Sequence, residues 1–284
     1  MEKTKENFFD KFWKPYLEYE AALGYSRLQL REEINDLEIK TGDRVINIGF
    51  NWGDSLIHIA QNCDPSKIVG VDSSRAMLHL STQIFSTNEI PSGLIEGLSS
   101  CAKQFLFALH QTANRYQNKV QFYHCVAEDL DSLGLTADKI AATMGLHWLA
   151  DKKRAFTAFN RSLVLGGAVT FSTASSRFKV VQQDLLFHHN SYYHHFLTSF
   201  AELYDATHPQ QKMTRAKPFT KTNLETVIGL VETTGFALEK YRELSIYIPK
   251  VVPSMLHTVT HSSHSHFKKL SLGISRFTLR VQTF

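Results

Sequence analysis

The segment from Asp43 to Asp72, DRVINIGFNWGDSLIHIAQNCDPSKIVGVD, constrains the fold of this chain more than any other. Residues 44–49 are mainly apolar and β-branched, and Gly49 and Gly53 then bracket a turn. Residues 53–62 carry Leu56, Ile57 and Ala60 at helical spacing, and 67–71 read as a second strand. A strand that feeds a glycine-bearing turn and then a helix aims backbone amides at the space above the turn, which suits a polar or anionic ligand. A carboxylate at the tip of the next strand, Asp72, suits the two hydroxyls of a ribose, because it accepts both hydrogen bonds at once. The pattern predicts a nucleoside-containing cofactor. The alternative for Asp72 is a helix N-cap, a task that Ser73 or Ser74 can also perform.

The same rhythm continues. A helix is expected over 74–85, strands over 120–126 and 139–143, and a helix over 152–163. A strand over 168–172 follows a Gly166-Gly167 turn, and a helix over 223–234 ends at Gly235. Strands are also expected over 237–247 and 276–284. Alternation of this kind implies a mostly parallel sheet with helices on both faces and ligands at the carboxyl edge. Residues 1–40 read as a helical, aromatic-rich cap preceding a domain over 41–284. Two stretches, 86–118 and 174–222, read as insertions. The second follows a strand at the carboxyl edge and is read as a lid. The run from 245 to 275 fits neither a clean strand nor a clean helix.

Composition sets the class. Hydrophobic residues make up 43% and charged residues 20% of the 284, as in a globular domain. A formal charge of +4 gives no indication of a nucleic-acid surface. Three cysteines without a CxxC pair favour free thiols, and no apolar run approaches a membrane span. The first twenty residues carry acids and lack an apolar core, so a signal peptide is not expected there. The expectation is a cytoplasmic protein without a nucleic-acid partner, with an oligomeric state the sequence does not reveal.

Four blocks in fixed order carry a family resemblance. They are the glycine loop from Ile46 to Gly53, GVDSSRAML from Gly70, VQFYHCVAEDL from Val120, and MGLHWLADKKRAFTAFNRSLVLGGAVTFS from Met144. A fifth, weaker one is FTKTNLETVIGLVETTGFALEKY from Phe219. Together they resemble the class I S-adenosylmethionine-dependent methyltransferases. The resemblance implies a Rossmann-like sheet of seven strands, mostly parallel with an antiparallel last strand, and S-adenosylmethionine as cofactor. It implies a cofactor site at Asn47, Gly49, Asn51, Gly53, Asp72, Ser73, Ala127, Glu128 and Met144, with no metal. Asn47 stands where the family carries an acid, and Asn51 where it carries a middle glycine. The second change is mild, because Asn tolerates positive φ. The first removes a negative charge near the cofactor's amino or sulfonium end. Val126 stands where an acid usually meets the adenine amine. Glu128 or Asp129 takes over that contact, or both are solvated surface acids.

The methyl group is expected past the fourth strand, at MGLHW. The Asp/Asn-Pro-Pro-Tyr/Phe tetrad of base-modifying enzymes is absent from that position. LHWLADKKRAF is instead similar to small-molecule carboxyl methyltransferases such as the juvenile hormone acid, trans-aconitate and malonyl-carrier-protein enzymes. The resemblance makes His147 the catalytic candidate, donating a hydrogen bond to an acceptor carboxylate, with Tyr16, Trp148 and Tyr192 lining the substrate pocket. The alternatives are a His147 that satisfies a backbone carbonyl and aromatics that merely pack. Methylation of carbon, amine or phenol, or a non-catalytic binding module, remains a competing reading. The histidines at 188, 189, 194 and 195 are not read as a metal site, nor are those at 257, 261 and 264, whose Ser- and Thr-rich segment argues against a firm helix and brings no acidic or cysteine ligand.

Overall fold

The computed structural model describes residues 8–23, 25–86, 88–143, 145–174, 180–182, 185–187, 224–248 and 270–281. Two helices open the chain, α1 (Phe8–Leu23) and α2 (Tyr25–Asp36). Then come β1 (Arg44–Ile48), α3 (Asp54–Asn62), β2 (Lys67–Asp72) and α4 (Arg75–Ser86). The first insertion holds α5 (Ser92–Ile95) and α6 (Ser100–Ala113), followed by β3 (Val120–His124) and β4 (Ala137–Ala142). After α7 (Lys152–Ser162) and β5 (Leu163–Ala174), two short strands, β6 (Val180–Gln182) and β7 (Leu185–Phe187), pair with each other. The described chain ends with α8 (Leu224–Thr234), β8 (Phe236–Ile248) and β9 (Leu270–Val281).

Seven strands form one sheet in the order β3-β2-β1-β4-β5-β9-β8. The five from β3 to β5 run parallel, and β9 is antiparallel to both β5 and β8. This is the expected architecture. The order reverses between β1 and β4, which makes their carboxyl tips the switch point where such sheets bind ligands. The two faces follow from strand periodicity. Val45 and Ile68 join a core with α1 to α4 and α6, whereas Ile46, Ile48, Val69 and Val71 join a second core with α7 and α8. α7 shows the helical version of the same logic: Ala155, Phe156, Ala158 and Phe159 are buried at helical spacing.

Two strand starts differ clearly from the sequence reading. Gly166 and Gly167 do not precede a strand but lie within β5, at a register break between Ala137 and Lys139 of β4. A side chain at Gly167 would come within 2.8 Å of the Val164 carbonyl, so the close backbone approach demands glycine there. β9 begins at Leu270, earlier than the expected 276, and pairs with β8 as far as Ile248. The apolar residues Leu270, Leu272 and Ile274 alternate, but Gly273 and two serines mask the period. The stretch 86–118 is structured by α6, whose Leu106, Leu109 and Ala113 are buried. Most of the proposed lid, with Tyr192 and both histidine-rich segments, lies outside the described residues, as does Met144. Among the described residues no helix is long and apolar enough to cross a membrane.

Candidate cofactor and acceptor site

The glycine loop joins β1 to α3. Three of its residues have left-handed backbone: Gly49 (φ 70°), Asn51 (φ 52°) and Gly53 (φ 93°). Asn51 therefore adopts the conformation that its side chain type tolerates. The alternation sends Phe50 and Trp52 downward into the core, so neither occupies the space above the loop. Phe50 packs against Phe122 with ring centroids 5.2 Å apart and fits only because Gly70 has no side chain: a Cβ there would fall 2.8 Å from it. Gly53 is required twice, by its φ and by Phe85, whose ring edge would be 2.6 Å from a Cβ. Ser81 Oγ of α4 donates to the Asn51 carbonyl at 2.7 Å and ties the loop down. Gly49, by contrast, is exposed, and a methyl group on it would meet no protein atom within 4 Å. The groove opens at that position.

Asp72 ends β2 and is buried. Its Oδ2 accepts from the Asn51 amide at 3.3 Å, and its Oδ1 from the Ser74 amide at 2.8 Å. Burial pushes its carboxyl up to about 6, against these two amides and that of Ser73, which favour the ionised form; the nearby Asp10 raises it further. The N-cap of α4 is Ser74, whose Oγ accepts from the Met77 amide at 3.1 Å. Three amides leave spare acceptor capacity on a carboxylate, which offers about four lone-pair sites.

Asn47, expected at the cofactor, is bonded within the protein. It is 1% exposed, its Nδ2 donates to the Ala141 carbonyl at 3.2 Å, and its Oδ1 accepts from Ser55 Oγ at 2.5 Å. The amide thus bridges β1, β4 and α3, a task that needs both a donor and an acceptor and that a carboxylate cannot perform. Glu128 also has other partners: its Oε1 accepts from the amides of Ala150 and Asp151 at 2.8 and 3.2 Å, ahead of α7. Asp129 pairs with Arg154 of the same helix. Ala127 is buried in the second core, while Val126 is 42% exposed. Ser73 is exposed, and its carbonyl accepts from His124 Nε2 at 3.0 Å.

The rim beyond β4 is a single 3-10 turn, Leu146–Trp148. Leu146 is buried and Trp148 is 40% exposed. The turn carries His147, whose side chain lies outside the described residues. α1 reaches this rim: the Phe9 ring stands edge-on to Trp148 at 5.1 Å, and Tyr16 stands 5.1 Å from Trp52. Tyr16 and Trp148, expected together, are joined through Phe9, which lies 5.2 Å from Tyr16. Sequence reasoning missed Phe9 and Asp10, since both look like ordinary positions of an amphipathic helix.

The chain from residue 19 to residue 240 matches the family model for a methyltransferase domain. This protein belongs to that family. Its fold is shared by the candidate methyltransferase of Bacillus halodurans (12% identity, TM-score 0.51, covering 89% of this chain and 99% of that one). It is likewise similar to the YcgJ protein of Bacillus subtilis (13%, 0.52, 91% and 100%) and to the cyclase SpnF (12%, 0.51, 91% and 82%). At these identities the likeness is one of fold alone. No curated protein matches the sequence. The family establishes an S-adenosylmethionine-dependent methyltransferase. The site fits that cofactor: Gly49 leaves open space, and Thr143 Oγ1, just past the tip of β4, is buried with no hydrogen-bond partner in the protein. A buried donor without a partner is costly, so a polar ligand that meets it is stabilised. The amino-acid end of the cofactor carries such groups.

Proposed function

We propose that this methyltransferase acts on a small organic acid, with a carboxylate oxygen as the acceptor. The observation that carries the reading is the rim after β4, where Trp148 is exposed and Phe9 stands against it. An aromatic wall suits the apolar body of an acid. His147 is the one ionisable residue of the run from Gly145 to Leu149, and a carboxylate acceptor needs no general base from it, because it is ionised before it binds. The cofactor, when bound, supplies an electrophilic methyl group. The protein's own work is then alignment and exclusion of water, and alignment alone supplies ~7–11 kcal/mol in well-ordered systems.

In this reading Asp72 receives the ribose hydroxyls, the Gly49–Gly53 loop shapes the groove, and Ser73 and Ala127 flank the base. Tyr16, Trp148 and Tyr192 enclose the acceptor, and His147 donates to its carboxylate. One observation favours a second reading. Glu33 of α2 is buried and accepts from Ser172 Oγ at 2.6 Å, near the tip of β5 beside β4. A carboxylate placed there suits an acceptor that brings a proton, an amine or a phenol.

Incubation with methyl-labelled cofactor and a panel of acids, phenols and amines separates the two. Label recovered in a base-labile ester supports the acid reading. Base-stable label on an amine or phenol, with none on any acid, replaces it with the second.

A further inference from the structure

α1 is fastened by its acids. Glu18 accepts from the Ser99 amide at 2.6 Å and from the Ser99 hydroxyl, at the N-terminus of α6. Asp10 Oδ1 accepts from Ser74 Oγ at 2.7 Å and from the Ala76 amide at 3.0 Å, at the N-terminus of α4. Negative groups are stabilising at both places, since the amide ends of helices carry partial positive charge.

The two fastenings differ in what they hold. Glu18 holds an insertion helix. Asp10 holds the turn that carries Asp72, and the link is one residue long. Ser74, fully buried, donates its amide to Asp72 and its hydroxyl to Asp10. Asp10 also sits on a distinct piece of α1. Phe12 leaves helical geometry (φ −115°, ψ 19°) and Pro15 lacks an amide, so the first turn, with Phe9 and Asp10, is set off by a kink. That turn touches the rim at both ends of the groove, Ser74 and Ala76 at one and Trp148 at the other.

We propose that Asp10 is a positioning residue of the cofactor site: through Ser74 it fixes the turn that presents Asp72, so that docking of the first turn of α1 and cofactor binding reinforce one another. The inference rests on the assignment of Asp72 to the ribose. Reciprocity follows from linkage: what docking does for the cofactor, the cofactor does for docking. The charged and titratable groups around Asp72 are Asp10 from α1 and His124 from β3, which pairs with Asp72 in register and bonds the Ser73 carbonyl. Of these Asp10 acts against ionisation of Asp72.

The test is calorimetry of S-adenosylhomocysteine binding by the full chain from about pH 5 to about pH 8, with cofactor KM and kcat where an acceptor has been found. Wild-type affinity is expected to rise through about pH 6 and then level, because ribose hydroxyls donate to an ionised Asp72. Asp10→Asn keeps an acceptor for Ser74 and removes the charge. Its midpoint is expected at lower pH, with affinity near pH 8 within about threefold of wild type. Asp10→Ala is expected to weaken affinity about tenfold and to raise the cofactor KM in proportion, with kcat at saturation within about twofold. Glu18→Ala, which removes a similar bond elsewhere, is expected to change affinity less than about twofold. Wild-type affinity and midpoint in both Asp10 variants would overturn the proposal, as would an equal loss in Glu18→Ala. Should Asp10→Ala fail to fold, the midpoint of Asp10→Asn decides. Asp72→Ala separates the two claims: wild-type binding by that variant removes the ribose assignment, whereas lost binding there beside unaffected Asp10 variants removes only the role of Asp10.

Discussion

Around the tips of β1 and β2 the rim is held by backbone and buried polar bonds. Gly49 donates to the Val71 carbonyl, Asn51 to Asp72, and Ser81 and Ser74 tie the two turns to α4. Beyond β4 the rim is one 3-10 turn whose Trp148 is exposed and leans on a ring from α1. The contrast matches the two tasks. A cofactor common to a whole family calls for a groove whose shape is fixed by residues that cannot vary without strain. An acceptor peculiar to one enzyme calls for side chains that can be exchanged at little cost to the fold. Substitutions on the two halves should therefore behave differently.

The largest effect is expected at Gly53. Gly53→Val forces a branched residue to φ 93° and drives Cβ into the Phe85 ring. Left-handed strain and overpacking together cost on the order of 3 kcal/mol or more. Urea denaturation should show that loss, and a loss below about 1 kcal/mol would mean the loop is not rigid.

Asp72 gives the next effect, through pH. Its carboxyl is raised from 3.8 to about 6 in the folded chain. The folded state thus holds its proton more tightly than the unfolded state, so this group's contribution is most favourable at low pH. Stability is lost as pH rises from about 4 to about 6, by on the order of 3 kcal/mol. Comparison of wild type with Asp72→Asn isolates the term: the difference between their stabilities should shift across that window, and a flat difference would contradict the burial of a charge there.

Asn47→Asp comes third. It restores the acid of the family pattern but turns a carboxylate oxygen toward the Ala141 carbonyl. A cost of about 1–3 kcal/mol is expected from the lost donor. An unchanged or increased stability would show that the amide bridge is not what holds β1 to β4 at this position.

Trp148→Ala is expected to have the smallest effect on stability, within about 0.5 kcal/mol, because its ring is already partly in water. Its effect should appear instead in acceptor KM or turnover, with cofactor affinity unchanged. A fall in cofactor affinity would merge the two halves of the rim into one site.

How much of this could be read beforehand follows from the range of each interaction. The strands, the loop and Asp72 are local features: period, positive φ and a carboxylate at a strand tip are all written within thirty residues. The resemblance then supplied the number of strands and the reversed direction of the last one. Contacts across the fold left no such mark. Asp10 meets Ser74 sixty-four positions away and Glu18 meets Ser99 eighty-one away, and both acids look like solvated charges on a helix. Glu128 next to an expected strand end looked like a ligand group, but its partners at Ala150 and Asp151 lie on a segment the pattern could not place beside it. Asn47 looked like a weakened acid because the departure was judged against the cofactor. Its bonds to Ser55 and Ala141 make it a structural bridge.

The most direct test of the account is binding of S-adenosylhomocysteine to the wild-type chain and to Asp72→Ala, measured by calorimetry near neutral pH. Micromolar binding by the wild type, weakened about tenfold or more by the substitution, is the predicted result. Equal affinity in the two proteins, or no binding by the wild type at millimolar concentration, would contradict it.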